Sequence, residues 1–229
     1  MSYQKIAIED LFSNLSSIKK STLDESNLTD LLEYYDLFFE IRNFVNSKDE
    51  SVGKLWNEII IELTNVITSL IFGFYRSSLV VLRGVLELSC SSFFYYDHKI
   101  EYFIFENHDK SADTYVSALT KNYSFYKTEY IESFYKNIQN EETETNSVSA
   151  KLNEIYSKLC DNVHGRYSHL SKIDDFSLKY IPKDCNSSIN FITNTLSIIS
   201  VLFVLRFNYK SSPSILKLAN KSKVVNFSE

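Results

Sequence analysis

Apolar side chains recur along much of the chain three and four residues apart, the spacing of one helix face. Ile8, Leu11, Phe12, Leu15 and Ile18 share such a face. After the turn-like break KKSTLDESN, so do Leu28, Leu31, Leu32, Tyr35, Phe38 and Phe39. Two amphipathic helices are predicted, with Ser26 or Asn27 placed to accept the free amide hydrogens of the second helix's first turn. From 55 to 70 the pattern is almost continuously apolar, Gly73 interrupts it, and it resumes from 75 to about 96, predicting two long central helices. A stripe of Leu152, Ile155, Tyr156, Leu159 and Val163 predicts a helix over 148–165, with Gly165 suited to the left-handed residue that ends a helix. After a polar connection containing Pro182, a last core helix is predicted over 189–208, and SSPSILKLANKSKVVNFSE reads as a short helix and a tail. The stretch before 148 mixes tyrosines with charges and ends in Glu141, Glu142 and Glu144, which reads as a solvated loop.

Composition narrows the class. Only four Gly and two Pro occur in 229 residues, too few for the many tight turns of a sandwich or barrel. The prediction is an all-α fold, a single-domain helical bundle with long central antiparallel helices. The domain spans 1–210, with N-terminal helices over 5–46 packed on a core of about 55–207, and a short helix and tail over 211–229.

A formal charge of -5 argues against holding nucleic acid by a global basic field, so any such contact must be local. Cys90, Cys160 and Cys185 are widely spaced with no CxxC pair, and the opening MSYQKIAIED has no signal-peptide pattern. A reducing cytoplasm is the expected compartment. The stretch 189–207 is the best candidate for a membrane span, but Asn190, Thr193, Asn194, Thr195, Ser197 and Ser200 dilute it, and a buried helix is expected instead.

Two constellations could carry chemistry. In the first, Arg76, Arg83, Glu87 and Cys90 share one stripe of an otherwise apolar helix. An unpaired buried guanidinium is too costly, so Arg83 should pair with Glu87 one turn on, and Arg76 with a carboxylate or carbonyl elsewhere. The stripe is either an interhelical bridge that fixes register or a polar cleft whose arginine forks can hold phosphate. The second is YSKLCDNVHGRYSHL, which gathers Cys160, Asp161, Asn162, His164, Arg166 and His169 near a helix end. His164 is a candidate general acid or base, with Asn162 or Asp161 to orient a substrate or the imidazole, or else a cap on its helix C-terminus. Cys160 and His164 lie one turn apart, but no further ligands follow at metal spacing, so no metal is expected. Phosphate-loop, GxGxxG, HExxH and GxSxG motifs are absent, and no cofactor is expected.

Together, YRSSLVVLRGVLELS and YSKLCDNVHG resemble the HEPN-like helical proteins of bacterial abortive-infection and toxin–antitoxin systems. The likeness rests on Arg83 and Glu87 on one helix, and on Tyr156, Leu159, Val163, His164 and Gly165 on another. It implies a helical homodimer acting in antiviral defence, often a metal-independent ribonuclease with its active cleft between protomers. In that case His164, Arg83 and Asn162 would be catalytic, and Arg76, Glu87, Lys158, Asp161 and Arg166 would hold RNA. The usual arginine four to six residues before the histidine is missing, and only Lys158 stands in the window. The alternative is a non-catalytic helical subunit, an antitoxin, sensor or partner of a phage-defence complex, whose protein partner is encoded nearby.

Overall fold

A computed structural model describes residues 3–108, 115–127, 130, 133, 139–140, 147–164, 178–209 and 212–227. Nine α-helices occupy these residues: α1 (Tyr3–Glu25), α2 (Thr29–Lys48), α3 (Glu50–Ile71), α4 (Tyr75–Asp97), α5 (Lys99–His108), α6 (Val116–Asn122), α7 (Val148–Val163), α8 (Pro182–Phe207) and α9 (Pro213–Asn220). The only pairing of strands among them is a two-residue antiparallel bridge, β1 (Gln139–Asn140) with β2 (Val225–Asn226). The fold is an all-α bundle, as the helical periodicity predicts.

Its centre is the antiparallel hairpin of α3 and α4, which pack against each other more extensively than any other pair. Gly73 makes the hairpin: its φ is +79°, the Phe74 amide donates to the Ser69 carbonyl at 2.8 Å and the Gly73 amide to the Leu70 carbonyl at 3.0 Å. This double bond pattern closes a helix around a left-handed residue, where glycine carries no steric penalty. Asp49 starts α3 by accepting the Val52 amide at 3.1 Å, and Ser147 starts α7 by accepting the Ala150 amide at 3.1 Å.

α2 and α8 cover the hairpin on the side of Trp56. Trp56, Phe93, Phe203 and Phe207 meet there at ring separations of 5.1 to 6.5 Å, an aromatic core seam that holds α3, α4 and α8 together. Helices α4 and α8 are both long and apolar enough to cross a membrane, yet 78% of the most apolar window of α8 is buried inside the bundle. The polar residues that dilute α8 fit that burial. Thr195, Ser197 and Ser200 donate to the Phe191, Asn194 and Leu196 carbonyls at 2.8 to 2.9 Å, so none brings an unmatched hydroxyl into the core.

Three expectations need correction. The last core helix begins at Pro182, not 189, because proline's missing N–H and fixed φ suit the first helical turn. In α2 the buried face runs through Leu31, Tyr34, Phe38, Ile41 and Val45, while Leu32 and Phe39 point outward; the dense run of large apolar residues hid which stripe wins. Of the two residues expected to serve the start of α2, Asn27 does so, accepting the Thr29 amide at 3.1 Å, while Ser26 bonds Tyr180 across the bundle. In α1 the predicted face is buried only at Ile18, whereas Ile8, Leu11 and Phe12 are 44 to 63% exposed. Only the second half of that helix packs down, near Gly73. The acidic run Glu141, Glu142 and Glu144 lies outside the described residues.

Candidate functional site

Helix α7 lies antiparallel to α4, its C-terminus beside the start of α4, and this pairing brings the two constellations together. The charged stripe of α4 runs from exposed Arg76, through Arg83 and Glu87, whose side chains are 20% and 30% exposed, to Cys90 in the core. Burial pushes the Cys90 thiol up to about 12, so it is a core packing group rather than a nucleophile.

Arg83 Nε donates to Glu87 Oε1 at 2.9 Å, as the one-turn spacing predicts. The structure adds a third member. The Tyr156 hydroxyl of α7 donates to the same Glu87 oxygen at 3.0 Å, an Arg83 terminal nitrogen donates to that hydroxyl oxygen at 3.2 Å, and the guanidinium lies 5.2 Å from the Tyr156 ring centroid. Burial, followed by the bond to Glu87, pushes the Tyr156 phenol up to about 12, so it keeps its proton and donates at neutral pH. Sequence reasoning placed Tyr156 on the apolar stripe of its helix. No spacing signal separates it from that stripe, since it lies four residues after Leu152 and three before Leu159; its hydroxyl alone marks it out.

Arg76 does not reach Glu87. Its Nε donates to the Asn162 backbone carbonyl at 3.0 Å, satisfying one of the acceptors left open in the last turn of α7 and placing a cation at the negative end of that helix. The Asn162 side-chain amide turns back to the Lys158 carbonyl at 2.8 Å.

Helix α7 presents two flanks. A groove of about 550 Å³ between α4, α7 and α8 holds Arg76, Lys158, Asp161 and Asn162, with Asp184 and Phe191 from α8 opposite. A second, of about 460 Å³, holds Tyr156, Cys160, Asp161 and His164 with Asn153 and Ser117. Lys158 and His164 thus fall on different sides: six residues are about 240° of helix turn. The ammonium of Lys158 is also drawn away from the C-terminus, to Glu154 at 2.6 Å, and the two lysines Lys151 and Lys158 hold the Glu154 carboxyl below its ordinary range. His164 is exposed, and its backbone amide closes the helix on the Cys160 carbonyl at 2.9 Å. Among the described residues only Asp161 borders both grooves. Arg166, Gly165 and His169 lie outside the described residues.

Among the described residues no three His, Cys, Asp or Glu side chains gather as a metal site would require. A second polar cluster, absent from the sequence reading, closes the opposite end of α4. Asp97 accepts from both Arg206 and Tyr123, and the Arg206 guanidinium stacks 4.7 Å from the Tyr96 ring centroid, fastening α4 to the end of α8. No family model matches the chain, and no curated protein or solved structure shows significant similarity to it.

Proposed function

We propose that the chain is a non-catalytic helical interaction subunit of the HEPN-like type, serving as an antitoxin, sensor or partner in a defence complex. The observation that carries this reading is the state of its cations. A metal-independent ribonuclease needs a positive group free to meet phosphate beside the histidine that moves the ribose proton. Among the described residues Arg83 is held by Glu87 and Tyr156 and Lys158 by Glu154, while Arg76, whose fork is open, borders the groove on the other flank of α7 from His164. Releasing Arg83 for a substrate would leave the partly buried Glu87 carboxylate with the Tyr156 hydroxyl and no counter-cation, a cost each binding event must meet. The uncovered Ile8, Leu11 and Phe12 suit contact with another protein better than contact with a polyanion.

The dimer implied by the resemblance belongs to the same proposal. Leu63, Val66, Leu70, Leu82, Val85 and Leu86 of the central hairpin are fully buried within one chain, so the apolar surface left to cover lies elsewhere, on Ile8, Leu11 and Phe12 of α1, on Ile100 and Phe103 of α5, and at single positions such as Ile61 of α3. RNA incubated in EDTA with the purified protein should stay intact, with wild type and His164→Ala indistinguishable. Co-expression with the product of the adjacent gene should give a stoichiometric complex. Cleavage of RNA that His164→Ala abolishes would overturn the reading in favour of a nuclease.

A further inference from the structure

The groove between α4, α7 and α8 has a charge arrangement that the interaction reading does not use. Arg76 stands on one wall with only its Nε engaged, and the terminal nitrogens of its fork have no partner among the described residues. Asp184, in the first turn of α8, stands on the other, and forms no ion pair with Arg76 or with any other described residue. Leu79, Phe191 and buried Ser188 line the groove with them, and α7 adds Lys158, which is held by Glu154, and Asp161. Of these charges, Arg76 and Asp184 share the groove without an ion pair between them and leave a dipolar gap. The cavity of about 550 Å³ lies within the range of small-molecule sites.

We propose that this groove binds a short zwitterion with an apolar side chain, a free amino acid or dipeptide, with its carboxylate on the Arg76 fork and its ammonium on Asp184. The chemistry selects this class on three counts. A carboxylate matches two parallel donors of a guanidinium, an arrangement a lysine cannot offer. A simple anion such as phosphate gains from Arg76 but leaves the Asp184 carboxylate facing it without a counter-charge, which the ammonium of a zwitterion supplies. The apolar side chain of the ligand covers Phe191 and Leu79, which are otherwise wetted. Because Arg76 also closes the end of α7, a ligand on its fork bears on the last turn of that helix, where His164 sits. The proposal stands or falls independently of whether the chain binds a protein partner.

The test is calorimetric and NMR titration of the full chain with L-phenylalanine and the dipeptide leucyl-phenylalanine. N-acetyl-phenylalanine, phenylalanine methyl ester and glycine serve as controls that lack the ammonium, the carboxylate and the side chain. The expected result is saturable binding of the two zwitterions, with each control weaker by about tenfold or more, the size of one lost charge-assisted contact. Asp184→Asn should weaken the zwitterions by a similar factor while leaving N-acetyl-phenylalanine unchanged. Arg76→Lys should weaken them while leaving the methyl ester unchanged. If Arg76→Lys lowers the melting temperature, Asp184→Asn, which bonds to nothing in the described fold, carries the test alone. No saturable binding of either zwitterion at millimolar concentration, blocked compounds binding as well as free ones, or binding indifferent to Asp184→Asn would each overturn the proposal.

Discussion

Replacing Glu87 by Gln removes the charge that balances Arg83 while keeping the shape of the side chain. In the folded protein Arg83 and Glu87 are 20% and 30% exposed, between a surface pair, worth about 0.2–1 kcal/mol, and a buried one, whose breaking costs about 3–5 kcal/mol. The Gln oxygen still accepts from Tyr156 and Arg83, but as a neutral acceptor. The expected loss is therefore about 1.5–2.5 kcal/mol, the range of a hydrogen bond to a charged group. For a chain of this length that lowers Tm by roughly 3–10 °C. Urea unfolding followed by circular dichroism gives the free energy directly. Tyr156→Phe supplies the second arm of a double-mutant cycle, and the two changes should couple by more than about 0.5 kcal/mol, since they share one oxygen. The apolar replacement of the pair, Arg83→Met with Glu87→Leu, should recover most of the loss, because a half-buried ion pair contributes register more than stability. A Glu87→Gln variant as stable as wild type, or additive with Tyr156→Phe, would refute the view that the three groups act as one unit.

Two further outcomes follow from the same geometry. Burial pushes the Tyr75 phenol up to about 12, as it does Tyr156, and Tyr209 reaches about 12 chiefly through its bond to Glu40. Below pH 10 both folded and unfolded chains keep these protons; between about pH 10 and 12 only the unfolded chain releases them, so stability falls steeply across that window. Unfolding tracked by tyrosinate absorbance should show this loss, and Tyr156→Phe should make it shallower. At the corner of α2 and α3 a methyl group on Gly53 would sit 2.9 Å from the Asn46 backbone Cα, so Gly53→Ala should cost about 1–3 kcal/mol despite its better helix propensity, a sign that thermal melting can check.

The parts of this fold legible in the sequence are those in which a local rule and the tertiary structure agree. The hairpin of α3 and α4 was readable because large apolar residues recur densely on both sides of Gly73, which breaks the run. Arg83 with Glu87 was readable because one turn of helix fixes their separation. Where several faces were equally apolar, as in α2, periodicity identified a helix but could not say which stripe the neighbours would cover. In α1 the stripe is real, yet this chain supplies only enough partner surface for Ile18. Tyr156 was hidden for a different reason: its ring packs as an apolar group while its hydroxyl works as a polar one, and sequence spacing reports only the first.

The site's division into two flanks has its origin in how α4 and α7 cross. Because the helices run antiparallel, the α4 stripe descends as α7 is read backwards, and each arginine meets a different kind of acceptor. Arg83 faces the middle of α7, where every backbone carbonyl is already bonded within the helix, so only side chains, Glu87 and the Tyr156 hydroxyl, are left to satisfy it. Arg76 faces the last turn, where open carbonyls occur, and one Nε suffices to close the Asn162 carbonyl. A guanidinium has five donors in a fixed fork. In the middle of the helix pair the fork is closed on protein groups, whereas at the end it is engaged through a single nitrogen and opens onto a groove. The same residue type on the same stripe is thus a structural clasp at 83 and an available binding group at 76. That difference depends on helix ends, which a stripe drawn on one helix does not contain.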